Sequence, residues 1–156
     1  TYLPEDEKWE ASNGEKWDLA RVIKMELDAD LHSSACGGSH RLYGLATAVN
    51  RYRGRHPEAG ETLPEPWKSA EDTIANSIDL SRRFQQADGS FSTQFFERPA
   101  SSVDVFAKLS SSGHIFEMTP LFPCLPAILS PGINLLLTAT KTFTTFITVG
   151  NKSSPC

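Results

Sequence analysis

Two stretches of the chain carry apolar residues at three- and four-residue steps, the spacing of one face of an α-helix. The first runs from Ser39 to about Arg55, and the second begins at Pro66, since proline is favoured at the first helical position. His56, Pro57 and the loop 58–64 stop the first helix. We therefore predict a helix hairpin whose apolar positions are Leu42, Leu45, Ala46, Val49 and Tyr52 in the first helix and Trp67, Ala70, Ile74, Ile78 and Phe84 in the second.

Weaker apolar patterns before and after this hairpin predict further helices. We therefore predict an all-α fold of antiparallel helix hairpins. Residues 1–16 are polar and loop-like, with a turn at Asn13 and Gly14, and residues 17–27 form a short helix. Asp88 and Gly89 form a turn after the second long helix. Another helix begins within residues 99–104, is interrupted at residues 110–114, and is followed by a new helix from residue 115. In the helix that begins within residues 99–104, the apolar residues Val105, Phe106 and Leu109 are expected to point inward.

Charge divides the chain into two parts. The 156 residues carry a net charge of −4, yet residues 119–156 contain no Asp or Glu and two lysines, Lys141 and Lys152. We predict a helical domain at residues 1–118 and an irregular, Pro- and Thr-rich apolar tail at 119–156, which departs from the domain's fold as a divergent or frame-shifted end would. Lys141, the threonines and the prolines argue against a membrane segment in the tail. A β-hairpin-like run with a high tendency to aggregate is the other alternative for residues 133–149.

Composition narrows the classes of partner. Mild acidity argues against a nucleic-acid or anionic-membrane surface. The acidic start of the chain lacks the apolar core of a signal peptide, so no signal peptide is predicted within these residues. A leader, if one existed, has been removed or was not included, and the compartment stays open. The oligomeric state also stays open.

The chemistry is concentrated at residues 32–40. His32, Cys36 and His40 recur every four residues and offer two imidazoles and a thiol, which are ligands that Zn²⁺ accepts. Gly37 and Gly38 break the helix that would align them, so we expect a loop, a Gly-Gly bend and a helix capped by Ser39. The commoner interpretation is a buried Cys36 with hydrogen-bonded histidines. No metal is assigned, and zinc on these three residues is an outside alternative.

A second histidine follows similar loop chemistry. Ser112-Gly113-His114 resembles Gly38-Ser39-His40, and in a ring of helix hairpins such helix starts would face the same end. We therefore expect His40 and His114 to share one pocket, with His32 and Cys36 nearby.

These positions supply the candidate site residues. His40 and His114 are the candidate catalytic acid and base, and His32, Cys36 and Tyr43 are candidate ligand contacts. Asp28 and Asp30 are candidate supporting acids, although exposed acids at a helix end are usually solvated.

Three segments in this order resemble a known superfamily: CGGSHRLY at 36–43, QQADGSFS at 85–92 and SSGH at 111–114. The chain resembles the α/α-toroid proteins related to squalene cyclases and protein prenyltransferases, whose bacterial members carry CGGTH, QNPDGSFS and TTGH-like segments. The resemblance covers about residues 31 to 117. It implies alternating inner and outer helices around a cavity, of which this chain would form a part. It assigns no reaction, because neither the DxDD acid of cyclases nor the zinc motif of prenyltransferases is reproduced.

We therefore expect a toroid protein that binds a small apolar or carbohydrate-like ligand in a helix-lined cavity. One alternative is a cyclase- or lyase-type enzyme that uses the cavity histidines as general acid and base. The other alternative is a non-catalytic helical interaction scaffold whose histidines are structural.

Overall fold

The computed structural model describes residues 3–59 and 62–118, which are mostly helical, as predicted. A small antiparallel sheet precedes the helices, and two short 3-10 turns lie before and after the second helix. The elements of the described residues are β1 (Lys8–Glu10), β2 (Lys16–Asp18), α1 (Leu19–Asp28), α2 (Ser39–Arg55), α3 (Trp67–Arg83) and α4 (Val105–Met118).

Residues 8–18 form a β-hairpin, so the prediction of a loop over residues 1–16 was wrong for the strand residues 8–10 and 16. Trp9 pairs with Trp17 across the two strands, and the predicted turn is present, with Gly14 at φ +82°. Each strand carries a charged residue, a tryptophan and a charged residue. This two-residue period extends over too few residues to distinguish a strand from a loop. Because β2 ends at Asp18, α1 starts two residues later than predicted, and the Asp18 side chain caps it by accepting a hydrogen bond from the Arg21 N–H at 2.8 Å.

The predicted faces of α2 and α3 form the centre of the core. Leu42, Ala46 and Ile74 are fully buried, and the two helices pack against each other. Removal of this apolar surface from water is the main stabilising contribution. Helix α1 contributes two further core residues, and the chain after α3 contributes two phenylalanines. The buried hydrophobic core consists of Leu19, Ile23, Leu42, Leu45, Ala46, Ala48, Val49, Leu63, Trp67, Ala70, Ile74, Ile78, Phe91, Phe96 and Ile115.

Helix α4 differs from the prediction in two respects. It runs without interruption from Val105 to Met118, so Ser110 to His114 lie within one helix. Val105, Phe106 and Leu109, which were expected to be inside, are exposed. The buried face instead carries Ser111, Ser112 and Ile115, because the segment that α4 packs against presents backbone polar groups that need hydrogen-bond partners.

Residues 119–156 lie outside the described residues, and so do the predictions made for that tail. Within residues 3–59 and 62–118, no helix has the length and apolar character needed to cross a bilayer.

Candidate functional site

The turn before α2 has a left-handed backbone at three consecutive residues. Cys36, Gly37 and Gly38 have φ angles of +53°, +59° and +86°. For a residue with a side chain, such a backbone conformation is unfavourable by about 1–2 kcal/mol. Cys36 is the residue of this turn to which that penalty applies. Ser39 is the first residue of the helix and not the predicted cap; its hydroxyl donates back to the Cys36 carbonyl at 2.9 Å. The turn thus holds Cys36 one helical turn before His40.

Packing as well as backbone conformation requires glycine here. A Cβ on Gly37 would lie 2.5 Å from the Cβ of Phe95, and one on Gly38 would lie 2.7 Å from the Leu31 carbonyl oxygen. Both separations are shorter than real carbon contacts allow. Phe95, which also has a positive φ of 51°, therefore lies directly on the turn.

Polar contacts fix α4 against the chain after α3. The Ser112 hydroxyl accepts the Phe91 N–H at 3.1 Å, and Lys108 Nζ lies 2.6 Å from Asp88 Oδ2. The Lys108 ammonium, followed by hydrogen bonds from Ser90, holds the pKa of Asp88 well below its usual range. These contacts set the position of α4 and carry His114 towards the start of α2.

Cys36, His40 and His114 lie together, and we call them the Cys–His–His cluster. One ligand atom from each residue lies within 4.8 Å of the ligand atoms of the other two. The rings of His40 and His114 meet edge-on, with centroids 4.8 Å apart and planes at 87°. His40 is exposed, and Cys36 and His114 are half-buried, so the cluster is accessible from solvent. Glu117 Oε2 lies 3.5 Å from Nδ1 of His114, one turn further along α4.

A groove between α1 and α2 adjoins the cluster, and we call it the α1–α2 groove. It encloses about 400 Å³, within the range of small-molecule sites. Its walls are mostly aliphatic, and its polar residues include His40 and the ion pair of Arg41 with Glu26, whose Nε and Oε2 atoms are 2.7 Å apart. The lining residues are Leu19, Val22, Ile23, Glu26, Ser34, Ala35, His40, Arg41, Gly44, Leu45 and Ala48.

The structure does not bring every predicted residue to this place. His32 is exposed and lines a separate pocket beside α3, with Asp72 and Phe96 among its neighbours. Tyr43 is 46 % exposed and belongs neither to the cluster nor to the groove lining. The described cluster therefore contains His114 in place of His32 as the partner of Cys36 and His40.

The candidate acids also lie apart from the groove. Asp28 lines a surface depression with Trp17 and Met25, and the Asp30 carboxylate accepts the His32 N–H at 3.1 Å. The Asp30 carboxylate thus shapes its own turn.

The expected proximity of His40 and His114 is observed, although not for the expected reason. His114 lies in the middle of α4 and not at a helix start, so the apparent repeat of the two Ser/Gly/His segments is not a repeat of structure. Their roles as acid and base stay predictions.

Sequence reasoning missed Glu26, Phe95 and Glu117, which surround the cluster and the groove. Glu117 follows His114 by three residues, a helical spacing that would have indicated a contact if α4 had been predicted as continuous. No local signal identifies Phe95 as the residue that covers Gly37, because that contact joins positions far apart in the sequence.

Comparison with known proteins adds nothing to this geometry: no family model matches the chain, and neither the curated proteins nor the solved structures contain a significant match.

Proposed function

We propose that the chain binds a small, mostly apolar molecule in the α1–α2 groove, with a polar group of that molecule held by His40. The observation that carries the proposal is the groove itself, which combines aliphatic walls with an exposed imidazole. Ligand sites typically combine an apolar lining with a few polar groups that orient the ligand. Because Arg41 is already paired with Glu26, His40 is the groove residue best placed to bind a ligand's polar group.

The groove favours an apolar ligand over a carbohydrate-like one. A sugar presents many hydroxyls, each of which needs a hydrogen-bond partner once it leaves water. The walls formed by Leu19, Val22, Ile23, Leu45 and Ala48 offer no side-chain hydrogen bonds.

Two glycines of α2 supply a matched test. Gly44 lines the groove and Gly54 does not, and a side chain at either position enters open space. Gly44→Leu should fill the groove, whereas Gly54→Leu should leave it open at a similar change in helix propensity. Binding of 1-decanol, with glucose as the carbohydrate probe, is measured by ligand-detected NMR on the full chain.

We expect saturable 1-decanol binding that weakens at least about tenfold in Gly44→Leu, which corresponds to about 1.4 kcal/mol, and is unchanged in Gly54→Leu. His40→Ala should weaken 1-decanol binding less, because it removes one polar contact and leaves the apolar walls intact. Equal binding by the two leucine variants, or glucose binding in preference to 1-decanol, would contradict the proposal.

A second candidate, a cyclase- or lyase-type reaction, draws on the edge-on contact of His40 and His114. Two imidazoles in contact provide a proton donor and an acceptor at one place, which general acid–base catalysis requires. Asp28 and Asp30 are no longer part of this candidate, since neither lines the groove. It predicts that turnover of a groove ligand depends on both histidines, and binding without turnover would favour the scaffold or simple-binding alternatives.

We also propose that the four helices are part of an α/α toroid. The support is the ordered set of motif segments, together with the packing of α2 against both α3 and α4. An experimental structure in which further helices continue an inner and outer alternation would favour this architecture, and a closed bundle without a central cavity would contradict it.

A further inference from the structure

We propose that Cys36, His40 and His114 bind a divalent transition-metal ion of the zinc class. This inference does not depend on a ligand in the α1–α2 groove. The three side chains come from the left-handed turn, the first turn of α2 and the middle of α4, so that the fold and not a local sequence motif assembles them.

The donor set suits zinc. A thiolate and two imidazoles are ligands that Zn²⁺ and Co²⁺ accept readily, and three protein ligands with an open fourth position are typical of zinc sites that bind a further molecule. His40 also lines the groove, so the open position would lie near the space proposed for the small molecule.

The distances allow a site after a small movement. Metal–sulfur and metal–nitrogen bonds of about 2.3 and 2.0–2.1 Å place ligand atoms of a tetrahedral site roughly 3.3–3.6 Å apart. The three ligand atoms lie within 4.8 Å of one another, so each needs to approach the others by about 1 Å. His40 is exposed and Cys36 half-buried, which leaves their side chains room to move by that amount.

A carboxylate is already placed beside one imidazole. Glu117 Oε2 lies 3.5 Å from Nδ1 of His114, which leaves Nε2 as the ring nitrogen that would bind the metal. Metal-bound histidines commonly donate their second ring N–H to a carboxylate, which fixes the ring orientation and increases its basicity. Glu117 is therefore a positioning residue in this proposal.

The test is cobalt titration of the full chain, reduced and freed of metal. The parent is the Cys124→Ser, Cys156→Ser variant, because those cysteines lie outside the described residues and would complicate a thiolate signal. We expect one equivalent of Co²⁺ to produce a thiolate-to-cobalt charge-transfer band and the visible bands of a tetrahedral site, and Zn²⁺ to displace it. Cys36→Ser, His40→Ala and His114→Ala should each abolish these bands.

His32→Ala is the matched control, because it removes the histidine that sequence spacing would assign to the same site. It should leave the cobalt spectrum unchanged. Glu117→Gln should retain the spectrum and weaken affinity by about 10–100-fold. Far-UV circular dichroism and the urea midpoint in chelator show whether each variant is folded. As a second measurement, Zn²⁺ should slow alkylation of Cys36 in the parent and in His32→Ala.

No charge-transfer band in the parent, or no protection of Cys36 by Zn²⁺, would overturn the proposal. A band that survives in folded His114→Ala but is lost in His32→Ala would overturn it in favour of the His32, Cys36 and His40 set. Absence of metal binding in the parent, with 1-decanol binding intact, would refute the metal site alone, so the two proposals fail separately.

Discussion

Replacement of Gly38 by alanine tests the turn on which the site depends. Two penalties act at this position. The φ angle of +86° costs a residue with a side chain about 1–2 kcal/mol. The added Cβ would also lie 2.6 Å from Leu31 Cγ and 2.7 Å from the Leu31 carbonyl oxygen. Overpacking of this kind typically costs about 1–3 kcal/mol, so we expect a loss of about 2–5 kcal/mol in the free energy of unfolding.

Two other glycines separate the contributions. Gly14 has nearly the same φ, +82°, but no atom within 4 Å of its added Cβ, so Gly14→Ala should show the backbone penalty alone, about 1–2 kcal/mol. Gly44 lies within α2 and also has open space around it, so Gly44→Ala should stabilise the protein by about 0.5–1 kcal/mol. The assay is urea unfolding of the full chain followed by far-UV circular dichroism, with the midpoint and slope compared between variants.

The double variant Gly38→Ala, Leu31→Ala divides the steric term further. Removal of the Leu31 side chain should recover part of the loss caused by Gly38→Ala, but not the part due to the Leu31 carbonyl. The reasoning is refuted if Gly38→Ala destabilises no more than Gly14→Ala, because the close approach of Leu31 would then have no energetic consequence.

Three further outcomes follow from other contacts. Phe96→Ala should destabilise the protein by about 3–5 kcal/mol in the same urea assay, because a 1 % exposed ring leaves a cavity, and a loss below about 1 kcal/mol would mean that the ring is not in the core. Hydrogen bonds that the His56 ring donates to the Glu58 carboxylate first, and to the Glu5 carboxylate next, raise the pKa of His56, so an NMR titration should place that pKa above about 6.5. The stabilisation from these contacts is complete below about pH 6.5 and is lost as pH rises through the higher folded pKa. Lys108 lowers the pKa of Asp88, so its stabilisation is present above about pH 4 and is lost on further acidification; Asp88→Asn should therefore reduce stability at pH 7 and flatten the acid side of the pH–stability profile, whereas an unchanged profile would show that the pair contributes nothing.

The sequence by itself determined the parts of this protein that rest on local periodicity. Helix α2 has the predicted bounds, and α3 begins one residue after the predicted start. These bounds were predictable because a long amphipathic pattern and a proline beside the helix end are local signals. Eight of the ten predicted apolar positions of these helices are buried for the same reason, and the other two, Tyr52 and Phe84, are half-buried. The turns at Gly14 and Gly89 were also predictable, since each has the positive φ that glycine adopts readily.

Tertiary structure decided what these elements contact. Helix α4 has a weak apolar pattern, and its buried face includes Ser111 and Ser112 because their hydroxyls bond to the backbone of Phe91, which no helical period encodes. The same docking brings His114 to Cys36 and His40 and leaves His32 outside, although His32 is closer in sequence. Spacing identifies residues that share a face of one helix, whereas the members of a site on two helices and a turn are chosen by the packing between those elements.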